Sequence, residues 1–358
     1  MLYEMLEKMK YSRKIGVEAL IIVVLVFALT CLMGKIIIPR LRAKKMNQPI
    51  SGYVSEHASK SGTPTMGGIC FIIASLVVML VWVTLESRGY IGDNYGKEGS
   101  LVPLALTLLL GVGNAMIGFY DDYKKLVKKQ NEGLSEIQKL LLQVAVAAGY
   151  LAMMSMTDNI STSLHIPFTN IHWNLGYFAY PVYLLVIVGF VNSTNITDGL
   201  DGLASSVGVT CAVGIIAMSM LRMRWFLAFA PVSDRYNAVV AASLLGALLG
   251  FLVFNHYPAK VFMGDTGSLY IGGIIMGCAI AADEFIAVIL MAFVFVLDML
   301  SSLLQRLYFK LTHGKRLFKK APVHHHFQLL GWSETKIVIM FFIVSAIFTA
   351  LGVYGAIR

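Results

Sequence analysis

Asn192-Ser-Thr-Asn-Ile-Thr-Asp-Gly-Leu-Asp-Gly202 is a short polar bridge between two apolar runs, each long enough to be a membrane helix. Carboxylates beside hydrocarbon are costly unless they are paired, hydrated or bound to a metal, so Asp198 and Asp201 need a reason to be there. Three residues apart, they share a face if the second apolar helix starts at this point. Gly199 and Gly202 let backbone come close to a ligand. The pattern points to phosphate chemistry at a membrane surface; the plainer alternative is a hydrophilic loop with Asp as a helix cap.

The composition outside the bridge agrees with a membrane setting. Of 358 residues, 57% are hydrophobic and 14% charged, and the mean hydropathy is +0.73, outside the range of soluble globular proteins. No long polar segment could form a second domain, so residues 1–358 are expected to make one integral-membrane unit. The apolar run from Gly16 has no small-residue cleavage site after it and reads as a retained helix. Cys31, Cys70, Cys211 and Cys278 all lie in apolar runs without metal-ligand spacing, which excludes a disulfide framework or zinc site. The net charge of +9 resides in the loops. Anionic headgroups and phosphorylated substrates fit it better than nucleic acid.

At about 17 to 25 apolar residues per crossing, the chain divides into ten spans, an all-α polytopic architecture. They are Gly16–Ile38, Met66–Leu85, Leu101–Tyr120, Lys139–Met156, Tyr177–Val191, Leu203–Leu221, Ala238–Phe254, Ser268–Ala282, Glu284–Leu304 and Ile337–Ile357. Loops after odd-numbered spans hold most of the Lys and Arg, while those after even spans hold only Arg88, Lys97, Arg222, Arg224 and Arg235. The positive-inside rule then puts the odd loops in the cytoplasm and both termini outside. Met1–Lys14 reads as an interfacial amphipathic helix. Leu164, Ile166 and Phe168 alternate against Ile171, Trp173 and Leu175 about Thr169-Asn170, a hairpin pattern on the outer side near 163–175.

Five stretches carry chemistry, all in odd loops or at their edges. Asp121-Asp122 closes the third span; adjacent acids cannot both point along one helix face, so one can serve a metal while the other handles a proton. Lys125 and Lys139 can neutralise phosphate oxygens. In the bridge, Asn195, Thr197, Asp198 and Asp201 can meet a nucleobase, ribose, phosphate or metal. Phe254-Asn-His-Tyr-Pro-Ala-Lys-Val-Phe-Met-Gly-Asp-Thr-Gly-Ser268 sets Asp265 between Gly264 and Gly267 where a helix starts, a place suited to phosphate and Mg²⁺. Lys315-Arg-Leu-Phe-Lys-Lys-Ala-Pro-Val-His-His-His326 places three histidines in a polar loop with no core to occupy, which favours contact with a diphosphate, His324 foremost. Thr63-Pro64 and Gly67-Gly68 in His57–Gly68 mark a turn and a close helix approach.

Together these residues resemble the polyprenyl-phosphate N-acetylhexosamine-1-phosphate transferases, through Asp121-Asp122, Asn-Ile-Thr-Asp-Gly-Leu-Asp-Gly and Met-Gly-Asp-Thr-Gly-Ser. Thr-Pro-Thr-Met-Gly-Gly and Ala-Pro-Val-His-His-His narrow the resemblance to the phospho-N-acetylmuramoyl-pentapeptide transferase branch. The resemblance implies Mg²⁺ dependence, a homodimer, and transfer of phospho-MurNAc-pentapeptide from its UDP carrier to undecaprenyl phosphate at the cytoplasmic face of the bacterial membrane. By position it implies Asp121 as base, Asp122 as its partner and Asp265 as the Mg²⁺ ligand. Lys60, Thr65, Lys125, Lys139, Asn195, Asp198, Asp201, Asn255, Phe262, His324, His325 and His326 would line the substrate site. Gln328 and Asp298 stand where the family often has Glu.

Two rivals remain on the residues: a sister enzyme using UDP-GlcNAc, and an ion-coupled transporter, which would need mid-span acids where only Asp298 lies deep. Direct attack is preferred over an aspartyl-phosphate, since a metal-bound Asp265 is a poor nucleophile. A lipid-facing groove is expected to reach Asp121 beside the ninth helix, which Arg306, Tyr308 and Lys310 carry past the membrane surface.

Overall fold

The computed structural model describes residues 2–44, 62–89, 100–128, 133–225 and 232–358. Helices dominate: α1 (Leu2–Ala43), α2 (Gly68–Ser87), α3 (Val102–Lys128), α4 (Glu136–Met156), α5 (Ala179–Thr197), α6 (Leu203–Trp225), α7 (Val232–Asn255), α8 (Gly264–Ala281), α9 (Phe285–Met291), α10 (Phe293–Leu311), α11 (Val323–Gln328) and α12 (Glu334–Ala356). Among the described residues eight of them are long and apolar enough to cross a membrane, or nine if the bent pair α9–α10 is counted as one span. Leu80, Leu109 and Leu185 are among the large apolar side chains left on the outside, as a polytopic membrane protein requires.

The bridge is shorter than its sequence suggests. α5 continues through Asn192–Thr197, because its polar side chains bond back to the helix: Asn192 Nδ2 to Val188 O at 2.8 Å, Ser193 Oγ to Phe190 O at 2.6 Å and Thr197 Oγ1 to Ser193 O at 3.0 Å. Such back-bonding makes a polar helix end tolerable at membrane depth. Only Asp198–Gly202 bridges to α6, so Asp198 and Asp201 do not share a helix face.

Three further boundaries differ from expectation. Residues from Leu2 onward join the first span as one helix, since nothing before Pro39 interrupts it. The ninth span breaks at Ala292, with α9 and α10 80° apart. The Met291 carbonyl at that break accepts from Thr349 Oγ1 at 3.2 Å and Cys211 Sγ at 3.6 Å, so neighbouring helices satisfy it. α11 makes a helical turn of the histidine loop and buries His324 completely, which corrects the view that those residues have no core to occupy.

α8 sits at the centre of the bundle with nearly every residue buried. It crosses α3 along a seam of glycines. A Cβ on Gly273 would meet Gly111 and the Leu110 carbonyl, and one on Gly118 would meet the Asp265 carbonyl. Backbone against backbone, the seam sets the C-terminal part of α3 beside the first turn of α8.

At the opposite end of the bundle β1 (Ser163–His165) pairs antiparallel with β2 (His172–Asn174), Leu164 facing Trp173. The ladder stops at His165, so Ile166–Ile171 form a wider loop than the two-residue turn expected; Ile166 N donates to Ile171 O at 2.9 Å. His165 lies in a polar cluster there. Its Nδ1 is 3.0 Å from Glu284 Oε2 and its Nε2 2.9 Å from Thr169 O, while Arg222 Nη1 reaches Glu284 Oε1 at 3.0 Å. An apolar cavity of about 750 Å³ between α1 and α2, lined by Ile22, Leu29 and Trp82, lies toward this end. It is therefore not the groove expected to reach Asp121. All four cysteines are free.

Candidate active site

Five helix ends converge opposite the hairpin. α3 brings Asp121 and Asp122, α4 brings Lys139, α5 brings Asn195, α8 brings Asp265, and α11 brings the histidines. A capping box between Ser135 and Gln138 starts α4 squarely and so fixes where Lys139 emerges.

Carboxylate oxygens of Asp121, Asp122 and Asp265 lie within 4.8 Å of one another. Adjacent acids were expected to diverge. They do not, because the α3–α8 seam lays the first turn of α8 across both. Their labour is nonetheless divided. Asp122 accepts from Asp265 N at 3.2 Å, Thr266 N at 3.0 Å and Thr266 Oγ1 at 2.7 Å. It thus caps α8 from another helix and satisfies the orphan N–H groups of a buried helix start. Asp121 pairs with Lys125 at 2.6 Å and accepts from Leu134 N at 2.7 Å.

Asp265 is the hub. Its Oδ2 is 2.7 Å from Lys139 Nζ and 3.3 Å from Lys125 Nζ, and its Oδ1 accepts from Asn195 Nδ2 at 2.8 Å. Asn195 Nδ2 also donates to Ser268 Oγ at 2.9 Å, and Lys139 reaches Asn195 Oδ1 at 3.4 Å. Three carboxylates supply the hard oxygen donors that Mg²⁺ prefers, so the donor set fits that ion. Two lysines offset part of the charge and can pass to phosphate oxygens. Burial pushes Asp198 well above the usual carboxylate range, reinforced by Asp265, Asp122 and Asp201.

The other expected residues divide between the site and its supports. Asp201 accepts from Ala259 N at 3.0 Å, and Asn255 latches both its neighbours, taking Gly202 N at 3.1 Å and Ser205 Oγ at 3.2 Å while donating to Val261 O at 3.0 Å. Asn255 therefore shapes the bridge and the 256–263 loop. Thr65 is buried next to Gly264, and Phe262 pairs by backbone with Pro64 and Gly67. Lys60 and His57 lie outside the described residues.

The three histidines part company. His324 is buried, its Nδ1 3.0 Å from Asp298 Oδ2. His325 Nδ1 is 2.6 Å from Gln328 Oε1, so the amide serves as its hydrogen-bond partner despite lacking a charge. His326 Nδ1 accepts from Lys319 N at 3.1 Å. Sequence reasoning missed Thr266, Ser268 and Gln143 as supports; Gln143 joins α4 to α5 by accepting from Asn192 Nδ2 at 2.7 Å. A signal was available for Thr266 and Ser268, both in the Met-Gly-Asp-Thr-Gly-Ser run, and none for Gln143.

The chain is similar to known proteins over most of its length. A model of glycosyl transferase family 4 matches residues 104–283, and a phospho-N-acetylmuramoyl-pentapeptide-transferase signature matches residues 60–72. The curated phospho-N-acetylmuramoyl-pentapeptide-transferase of Halalkalibacterium halodurans is 40% identical over 337 residues, covering 94% of this chain and 96% of its own. That of Staphylococcus aureus strain RF122 is 39% identical over 344 residues, 95% and 98%. The Clostridium perfringens enzyme of that name is 40% identical over 329 residues, 91% and 93%.

Proposed function

The chain belongs to the phospho-N-acetylmuramoyl-pentapeptide transferases of glycosyl transferase family 4, and on that footing we propose that it moves phospho-MurNAc-pentapeptide from UDP-MurNAc-pentapeptide to undecaprenyl phosphate. An oxygen of the lipid phosphate forms a bond to the sugar-bearing phosphorus, and the bond from that phosphorus to the UMP oxygen breaks. The products are undecaprenyl-diphospho-MurNAc-pentapeptide (lipid I) and UMP. The observation that carries the reading is the meeting of three carboxylates and two lysines at the start of one buried helix.

In this reading the chain is a single membrane unit of ten spans, α8 counting as the tenth: its Gly-Asp-Thr-Gly-Ser opening dilutes an otherwise apolar helix. Both termini and the hairpin face outward, the site faces the cytoplasm, and two copies form a homodimer. Asp121, held by Lys125 and Leu134 N, orients the lipid phosphate and takes any remaining proton from it. A prenyl monophosphate is mostly dianionic at neutral pH, so little proton transfer is needed and direct attack suffices. Asp265 would hold Mg²⁺, with Asp121 in reach, and the ion would supply positive charge against the repulsion between the two anionic reactants. Lys125 and Lys139 neutralise the donor's diphosphate, Asn195 and Asp198 hydrogen-bond the donor, and Asp201 and Asn255 hold the bridge. Thr65, Phe262, His325, His326 and Lys60 complete the substrate surface.

The test is UMP release by the purified chain in lipid, with UDP-MurNAc-pentapeptide or UDP-GlcNAc as donor and undecaprenyl phosphate as acceptor. Turnover with the first donor, abolished by chelator and restored by Mg²⁺, is expected. Turnover with UDP-GlcNAc alone would overturn the donor assignment, and full activity in chelator the metal assignment.

A further inference from the structure

The histidine loop hangs from one face of α10. Asp298, Ser301 and Gln305 lie three and four residues apart and so line up along the helix. Gln305 Oε1 accepts from Leu317 N at 3.0 Å and Phe318 N at 2.9 Å, and Ser301 Oγ accepts from Val323 N at 3.0 Å. Asp298 completes the ladder through His324 Nδ1, and both of these residues are fully buried.

A carboxylate only accepts hydrogen bonds, so Nδ1 carries the proton whether the ring is neutral or charged. Nε2 is then the outward nitrogen. Among the described residues it has no hydrogen-bond partner, and it lies against Gly199, where a Cβ would run into it. The backbone of Gly199 is not in the left-handed region, so what excludes a larger residue there is the imidazole.

We propose that Asp298 and His324 are positioning residues: a buried carboxylate–imidazole strut on α10 that sets the height of the Asp198–Gly199 step, and through it the bridge that meets the nucleotide-sugar donor. The strut works through the bridge, since His324 has no exposed surface of its own. This rests on the donor-binding reading above. A side-chain anchor with no bearing on the donor would not involve Gly199, which belongs to the bridge.

The experiment uses the full chain in nanodiscs, varying UDP-MurNAc-pentapeptide at saturating acceptor. Asp298→Ala and Gly199→Ala are each expected to raise the donor KM about tenfold while kcat stays within about threefold. Asp298→Asn keeps an acceptor for Nδ1–H and should stay within about threefold of wild type. The Asp298→Ala/Gly199→Ala double variant should be no worse than the worse single. Additive losses, a fall in kcat at constant KM, or equal damage from Asn and Ala would overturn the strut. Ring-¹⁵N histidine spectra of the wild type, with His324→Gln to assign the signal, give an arm that does not depend on turnover. A protonated Nδ1 is expected, and a neutral ring with its proton on Nε2 refutes the pair. Absence of donor turnover in the wild type would count against the enzyme reading, while the spectra still decide the strut.

Discussion

Asp122 offers the sharpest separation between supporting and reacting carboxylates. Asp122→Asn leaves the volume unchanged but replaces one acceptor oxygen with a donor. The amide keeps its oxygen toward Thr266, whose N–H and hydroxyl both bond to Oδ2, and turns its NH₂ toward Asp265 N at the former 3.2 Å contact. One hydrogen bond to a charged acceptor is lost, at about 1.5–3 kcal/mol, and the facing N–H is left unpaired. We therefore expect about 2–3 kcal/mol of lost stability. Activity should fall on the order of a hundredfold, because Asp265 sits in the loosened turn and an error of about 1 Å in a reacting group costs that much. Thr266→Val removes one of the same bonds without touching Asp265. Thermal inactivation and UMP release for both single variants and the double variant form a cycle. Coupling of about 1–2 kcal/mol in stability is expected between contacting residues. Unchanged stability with lost activity in Asp122→Asn, and no coupling to Thr266→Val, would mean that Asp122 meets substrate and the cap assignment is wrong.

Three other outcomes follow from the structure. Asp265→Asn should reduce UMP release by about three orders of magnitude, the scale of losing one electrostatic stabiliser of about 4 kcal/mol, with the protein still folded in a thermal assay. Gly118→Val would drive a side chain into the Asp265 backbone; loss of both stability and activity is expected, whereas Gly149→Val, with open space beside it, should be silent in both assays. At the hairpin end, burial lowers the His165 pKa, but hydrogen bonds to Glu284 and the Thr169 carbonyl outweigh it and raise it above the ordinary value; burial raises Glu284 and lifts Asp283 to about 6. Each raised group stabilises the fold below its ordinary pKa and loses that contribution as pH rises through its raised value. Hydrogen exchange at Ser163–Asn174 should thus show less protection at pH 8 than at pH 5 after correction for intrinsic rates; an unchanged or rising protection would refute the sign.

Much of the site was legible because its residues cluster at helix ends, where composition changes abruptly. Asp121-Asp122, Asp265 between its glycines, and the bridge acids all stand out against apolar neighbours. What was hidden depends on partners remote in sequence. Nothing local distinguishes Asp122 as a cap, since the N–H groups it satisfies belong to residues 265 and 266. The helical state of Asn192–Thr197 runs against its polarity and becomes affordable only through bonds back to α5 carbonyls. The break at Ala292 has no Pro or Gly to announce it; the hydroxyl and thiol that stabilise it come from Thr349 and Cys211. His324 was misjudged because a basic, polar neighbourhood gave no hint that Asp298 waits beneath it. Here the spacing of Asp298, Ser301 and Gln305 was a readable stripe.

The glycine seam between α3 and α8 has a consequence for working inside a bilayer. Lipid thickness and lateral pressure can tilt or slide helices whose contacts are made by flexible side chains, because those side chains repack. Where two main chains touch directly there is nothing to repack, so the gap between the acidic pair and Asp265 is fixed by the width of the peptide itself. The reacting groups keep their registration while the lipid-coated periphery of α1, α4 and α12 adjusts to whatever membrane surrounds it.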